Sequence, residues 1–200
     1  MSHKMQWRVC AVALAMVGGL TWPTIAAAQT VVGNAKAVRA TTFGIFGGTT
    51  VTLASTGALG GPGDGLDATQ MTGSVSSLFS GEVLRAVTTA WPEQVVSEAS
   101  IASVGMSVAG TGITADFVQA RAQALAGQAR TGSSLISNLS INGKPIDVTG
   151  EPNQTIAIPG GRLVINEQRD SGVGTTVNAL HAVVAGIADV VVASATAGIQ

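Results

Sequence analysis

His181 is the residue in this sequence best suited to move a proton, and it stands alone. The other histidine, His3, lies in an N-terminal stretch that reads as a removable leader, so a site of several histidine ligands is excluded. An imidazole works as a general base only with a nucleophile and an orienting acid beside it. The chain offers neither a Gly-x-Ser-x-Gly elbow nor a Ser-x-x-Lys pair as the source of that nucleophile. The simpler reading is a hydrogen-bonded histidine on a strand face shared with Val177, Ala179 and Val183, with a Ser–His–acid triad drawn from distant loops as the alternative. The acids Glu82, Glu93, Glu98, Asp116, Glu167 and Asp189 are scattered among strand-like segments. Two carboxylates about 5–9 Å apart can hydrolyse a glycosidic bond, but sugar clefts usually add aromatic platforms and Trp91 is the single tryptophan beyond the leader. Glu98, Asp116 and Arg121, and likewise Glu167 beside Asn166 and Arg162, read as partners within a low-charge core, because buried charge persists only when paired. No catalytic residue is assigned. His181, Glu167 and Asp116 are the candidate ligand contacts.

Two further acids, Asp64 and Asp67, sit in Gly60-Gly61-Pro62-Gly63-Asp64-Gly65-Leu66-Asp67. With loop carbonyls they would make a weak calcium site, since that ion takes six to eight oxygens. The run lacks the ligand series of an EF-hand, and a turn favoured by Gly and Asp explains it equally well. The glycine pairs Gly110/Gly112 and Gly172/Gly174 are too closely spaced for a dinucleotide fingerprint, and no phosphate-loop lysine follows. They read as turns, and no cofactor is expected.

The elements that would position these residues are strands. The chain has 200 residues and 26 glycines, only 10% charged residues, a net charge of −1 and no tyrosine. Sparse charge with many small and β-branched side chains argues against disorder and suits packed strands. No basic stripe is present to neutralise phosphates, which speaks against nucleic acid. At the N-terminus, Lys4 and Arg8 precede an apolar run from Val9 to Leu20; Pro23 breaks it, and Ile25-Ala26-Ala27-Ala28 supplies small residues for cleavage after Ala28. Residues 1–28 therefore read as a signal peptide and 29–200 as one exported domain with no membrane span of its own. The one cysteine, Cys10, lies in the leader, so the remainder has no thiol for disulfides, zinc or nucleophilic chemistry.

Within 29–200, Val51 and Leu53 alternate with threonines over Thr49–Thr56. Over Ile101–Ala109, Ala102, Val104, Met106 and Val108 share one face. Asn142-Gly143 marks a type I′ hairpin turn that pairs Leu139 with Ile146 and leaves Pro145 on an edge or at a bulge. Gln154–Ile158, Arg162–Gln168, Thr176–Val184 and Ala188–Ala195 also read as extended. Several of these runs are apolar on both faces, as strands sandwiched between layers would be. Residues 115–126 are ambiguous: Phe117, Val118, Arg121, Ala122 and Leu125 recur at helical spacing, while Val118, Ala120, Ala122 and Ala124 alternate as in a strand, the reading context favours. The expected fold is all-β, a single-domain sandwich, with a jelly roll or partly closed barrel as its variants.

Phrases spread along the chain add a resemblance. They run from Val31-Val32-Gly33-Asn34-Ala35-Lys36-Ala37-Val38-Arg39-Ala40-Thr41 through Ser80-Gly81-Glu82-Val83-Leu84, Trp91-Pro92-Glu93-Gln94-Val95 and Ser97-Glu98-Ala99-Ser100. The sharpest are Ala115-Asp116-Phe117-Val118, Asn153-Gln154-Thr155-Ile156-Ala157-Ile158-Pro159, Val164-Ile165-Asn166-Glu167-Gln168 and Val177-Asn178-Ala179-Leu180-His181. Together they resemble the choice-of-anchor P family over the whole of 29–200. The resemblance implies an exported domain whose members carry differing attachment signals, and it implies no reaction. This sequence ends at Ala197-Gly198-Ile199-Gln200 without a sorting motif or basic tail, so its anchor is left open. The functional expectation is an extracytoplasmic structural or interaction module, secreted, periplasmic or on the cell surface, whose partner is an extracellular protein or polysaccharide. A secreted hydrolase of envelope or extracellular polymer is the alternative, and self-association through the edge near Pro145 is a third reading.

Overall fold

The computed structural model describes residues 29–45 and 47–200. The expected leader, with Cys10, lies outside them. The described residues form two antiparallel sheets packed face to face and not closed into a barrel: a β-sandwich. One sheet has six strands. β1 (Val31–Gly44) and β2 (Gly47–Ser55) form a hairpin, and β10 (Gln154–Ile158), β11 (Gly161–Asp170), β12 (Thr175–Val184) and β13 (Ala188–Ile199) form a meander. Its order is β10-β11-β12-β13-β1-β2, so β13 lies against β1, with Val31 opposite Ile199.

The second sheet is the intervening meander. It contains β3 (Gly65–Val75), β4 (Phe79–Trp91), β5 (Gln94–Val108), β6 (Thr111–Leu125), β7 (Thr131–Ser137), β8 (Ser140–Ile141) and β9 (Lys144–Pro145). Residues 115–126 thus lie in a strand and its turn. Helix propensity yields because alternate burial of Val118, Ala120, Ala122 and Ala124 seals them against the opposite sheet. The Asn142-Gly143 turn has both residues at positive φ, 49° and 74°, and the Ile146 N–H donates to the Leu139 carbonyl at 2.9 Å. Pro145 sits on β9, the edge of its sheet, where no neighbour needs its missing N–H.

Small side chains dominate the seam between the layers: Ala35 and Ala37 on β1, Ala99 on β5, Ala120 and Ala122 on β6, and Ala195 and Ala197 on β13 are all buried. They let Cα atoms of β13 come within 8 Å of those of β5 and β6, closer than the roughly 10 Å usual between stacked sheets. The runs that read as apolar on both faces do not belong to a three-layer arrangement. Breaks in alternation account for part of the pattern, and on β11–β13 Val164 and Val191 are also buried on the outer face beside His181. On β5 the core side chains are Val95, Ala99 and Ile101, then Val104, Met106 and Val108; the phase slips at Ala102–Ser103, where Ser103 has φ 51°. Ala102 therefore leaves the face it was expected to share.

Candidate functional site

The six-stranded sheet carries the same slip across four neighbouring strands, and the slip builds the polar site. Leu163 and Ile165 on β11 face the core, and unbroken alternation would send Glu167 inward with them. Asn166 intervenes at φ 51°, a conformation Asn tolerates better than most residues, and Glu167 turns outward. On β12 the inward set changes from Val177 to Leu180 and Ala182. On β13 it changes from Val190 and Val192 to Ala195, across Ala193 at φ 53°; on β1 it changes from Ala35 to Val38 and Ala40. No strand gains a residue on its partner, because Ile165 pairs Leu180 and Glu167 pairs Asn178, while Val192 and Ser194 pair the same two β12 residues. The result is one outward row, Glu167–Asn178–Ser194–Lys36, running across β11, β12, β13 and β1.

His181 joins that row to a second one. Its Nδ1 lies 2.8 Å from Glu167 Oε2 and its Nε2 lies 3.2 Å from Asp189 Oδ1. Asn178 Nδ2 donates to the same Glu167 oxygen at 2.7 Å, and Arg169 Nε donates to the other, Oε1, at 3.1 Å. Arg39 Nη2 donates to Asp189 Oδ1 at 3.3 Å. The chain Arg39–Asp189–His181–Glu167–Arg169 therefore crosses four strands. Both His181 and Glu167 are only 6% exposed. A neutral imidazole can donate to one carboxylate and the imidazolium to both.

Burial alone would raise the Glu167 pKa, but the hydrogen bond from Asn178, the charge of His181 and the bond and charge of Arg169 outweigh it and hold the carboxyl below its ordinary range. With the folded value below the unfolded one of about 4.3, the unfolded chain binds the extra proton between the two, so stability rises with pH there. The contribution is complete above roughly pH 5 and disappears as pH falls through the lowered value. Thermal unfolding followed by circular dichroism should give a melting temperature that drops on acidification from pH 6 to pH 3. Glu167→Gln should flatten that part of the curve; an unchanged slope in the variant would show that other carboxylates set it.

The candidate residues separate. Glu167 and His181 meet. Asp116 lies on the other sheet, exposed on β6, where its Oδ2 accepts from Asn138 Nδ2 at 2.6 Å. Glu98 and Arg121 are register neighbours on β5 and β6 but form no ion pair, and Arg121 is exposed, so the expected buried pairing there is not found. The partner of Glu167 is Arg169, not Arg162. Nor does His181 share its face with Val177, which points into the core. Asp64 accepts from the Gly60 and Gly65 N–H groups at 2.8 and 2.9 Å, a turn's work, and Asp67 lies 3.5 Å from Arg85 Nε. No group of three or more His, Cys, Asp or Glu suited to a metal occurs among the described residues.

No family model matches this chain, and neither curated proteins nor solved structures give a match. The site therefore has to be read from its own chemistry. Sequence reasoning missed Arg169, Asn178 and Ser194, along with Lys36 and Arg39. The available signal was the pair of adjacent buried residues at Ala37-Val38, Ala179-Leu180 and Val192-Ala193, after which polar residues recur in the opposite phase.

Proposed function

We propose that the chain is an exported, extracytoplasmic β-sandwich that works by binding and not by bond cleavage, in keeping with its resemblance to choice-of-anchor P proteins. One observation carries the non-catalytic half of this reading: both ring nitrogens of His181 face carboxylates, so neither is placed to take a proton from a hydroxyl. The leader-like residues 1–28 support the exported half. No helix among the described residues is long and apolar enough to cross a membrane. Recognition by such a protein rests on shape and hydrogen bonding at a sheet face or loop cluster.

The test has two arms. Residues 1–28 fused to a phosphatase active only outside the cytoplasm should give active enzyme, and loss of activity on replacing Leu14 and Val17 with charged residues should follow. Purified protein mixed with peptide, ester and glycan libraries should produce no turnover. The hydrolase alternative prevails if turnover appears and His181→Ala or Asp189→Asn abolishes it while the fold persists.

A further inference from the structure

We infer that the hollow beside the Glu167–His181 cluster is a binding site for a carboxylate-bearing saccharide, a polyuronate chain. This rests on the binding-module reading above and gives it a ligand class. The hollow has a volume of about 350 Å³ on the outer face of the six-stranded sheet, and Asn34, Lys36, Arg39, Arg169, Asn178 and Ser194 contribute to its lining. That size falls within the range of small-ligand sites. Because it opens on a sheet face and not inside the sandwich, a polymer can run across it.

Charge selects an anion. The charged residues on this face are Lys36, Arg39, Arg162 and Arg169 against Glu167 and Asp189, in a chain whose net charge is −1. Asp189 and Glu167 offset Arg39 and Arg169, Arg162 lies off the hollow, and Lys36 leaves one uncompensated positive charge in its wall. Arg39 and Arg169 are each held by one carboxylate, which fixes the guanidinium planes while leaving further N–H groups for a ligand. Among the described residues Lys36 forms no ion pair and no hydrogen bond, and the side chains of Asn34 and Ser194 likewise have no hydrogen-bond partner there. A free ammonium beside an unengaged amide and hydroxyl matches a sugar ring that carries both a carboxylate and hydroxyls.

The same lining disfavours neutral glycans. They are held largely by stacking on aromatic faces, and none of the lining residues is aromatic. Nucleic acid and lipid headgroups would meet the same cations, so they are the competing outcomes. The phase slip explains why the site exists, since without it Lys36, Asn178 and Ser194 would point into the core and be lost from the wall of the hollow.

Affinity electrophoresis of the protein, purified from an exporting host, decides the matter with polygalacturonate and its fully methyl-esterified form, which differ only at the carboxylate, charged in one and capped by a methyl group in the other. The acid form should retard the protein, the ester should not, and retardation should weaken with added salt. Lys36→Ala should weaken binding about tenfold, the worth of one charge-assisted hydrogen bond, whereas Lys144→Ala on the remote β9 edge should leave it unchanged. Equal binding of the ester, no effect of Lys36→Ala, or tighter binding to single-stranded DNA or to phosphatidylglycerol vesicles would overturn the assignment. Polymer that is bound and shortened, with new reducing ends, would instead sink the non-catalytic reading and leave the binding site standing. Absence of binding with no turnover anywhere would remove the ligand class alone.

Discussion

Replacing Glu167 with alanine is expected to cost about 3 kcal/mol at neutral pH and to lower the melting temperature by about 6–12 °C. The carboxylate accepts from two buried groups, Asn178 Nδ2 and His181 Nδ1, and from Arg169. Truncation leaves the first two facing a void with no replacement acceptor, and each such buried donor costs about 1–3 kcal/mol. Arg169 adds little, because its side chain is largely exposed and can turn to water. Asp189→Ala should be milder, since that carboxylate is partly open to solvent and only one His181 nitrogen depends on it. Equilibrium urea unfolding of the two variants measures the difference. A loss below about 0.5 kcal/mol for Glu167→Ala, the range of ordinary surface substitutions, would mean the cluster does not brace the sheet.

The second large effect concerns a glycine. Gly198→Ala is expected to destabilise the protein by about 3 kcal/mol or more, seen as loss of soluble protein or a collapsed urea midpoint. Gly198 on β13 lies against Val173 and Gly174, and a Cβ added there would overlap the Val173 carbonyl oxygen, a backbone atom that cannot swing aside as a side chain would. Relief would require moving the β11–β12 turn or breaking the pairing of Gly198 with Val32. Gly61→Ala is the control: its added methyl meets open space and should be silent. Normal stability of Gly198→Ala would show that the turn is loosely held.

Much of the architecture was legible because period-two burial is a local property. Thr49–Thr56, Gln154–Ile158 and the Asn142-Gly143 turn each declare themselves within ten residues. The site was half legible. His181 and Glu167 could be named as polar residues in apolar surroundings, but their partners arrive from β1, β11, β12 and β13, and strand register is not a local property. Arg162 was the expected partner of Glu167, yet five extended residues span about 16 Å, whereas Arg169, of the same type, stands two residues away on the same side. The phase slip was hidden because it adds no residue to any strand and because alanine, which fills the slip on β1, β12 and β13, reads equally well as inside or outside. The position of Asp116 was hidden for a similar reason. It sits at the matching slip on the other sheet, which turns it to solvent.

The place of β13 between β12 and β1 has a consequence for how the molecule is made. A chain emerging N-terminus first presents the β1–β2 hairpin early, but the neighbour that completes its hydrogen bonding is separated from it by every other strand. Until that neighbour arrives, one long ladder edge of β1 stays unpaired and sticky. Closure over so wide a sequence separation is slow, so holdase chaperones that shield extended hydrophobic segments would have their longest task here at the amino-terminal hairpin.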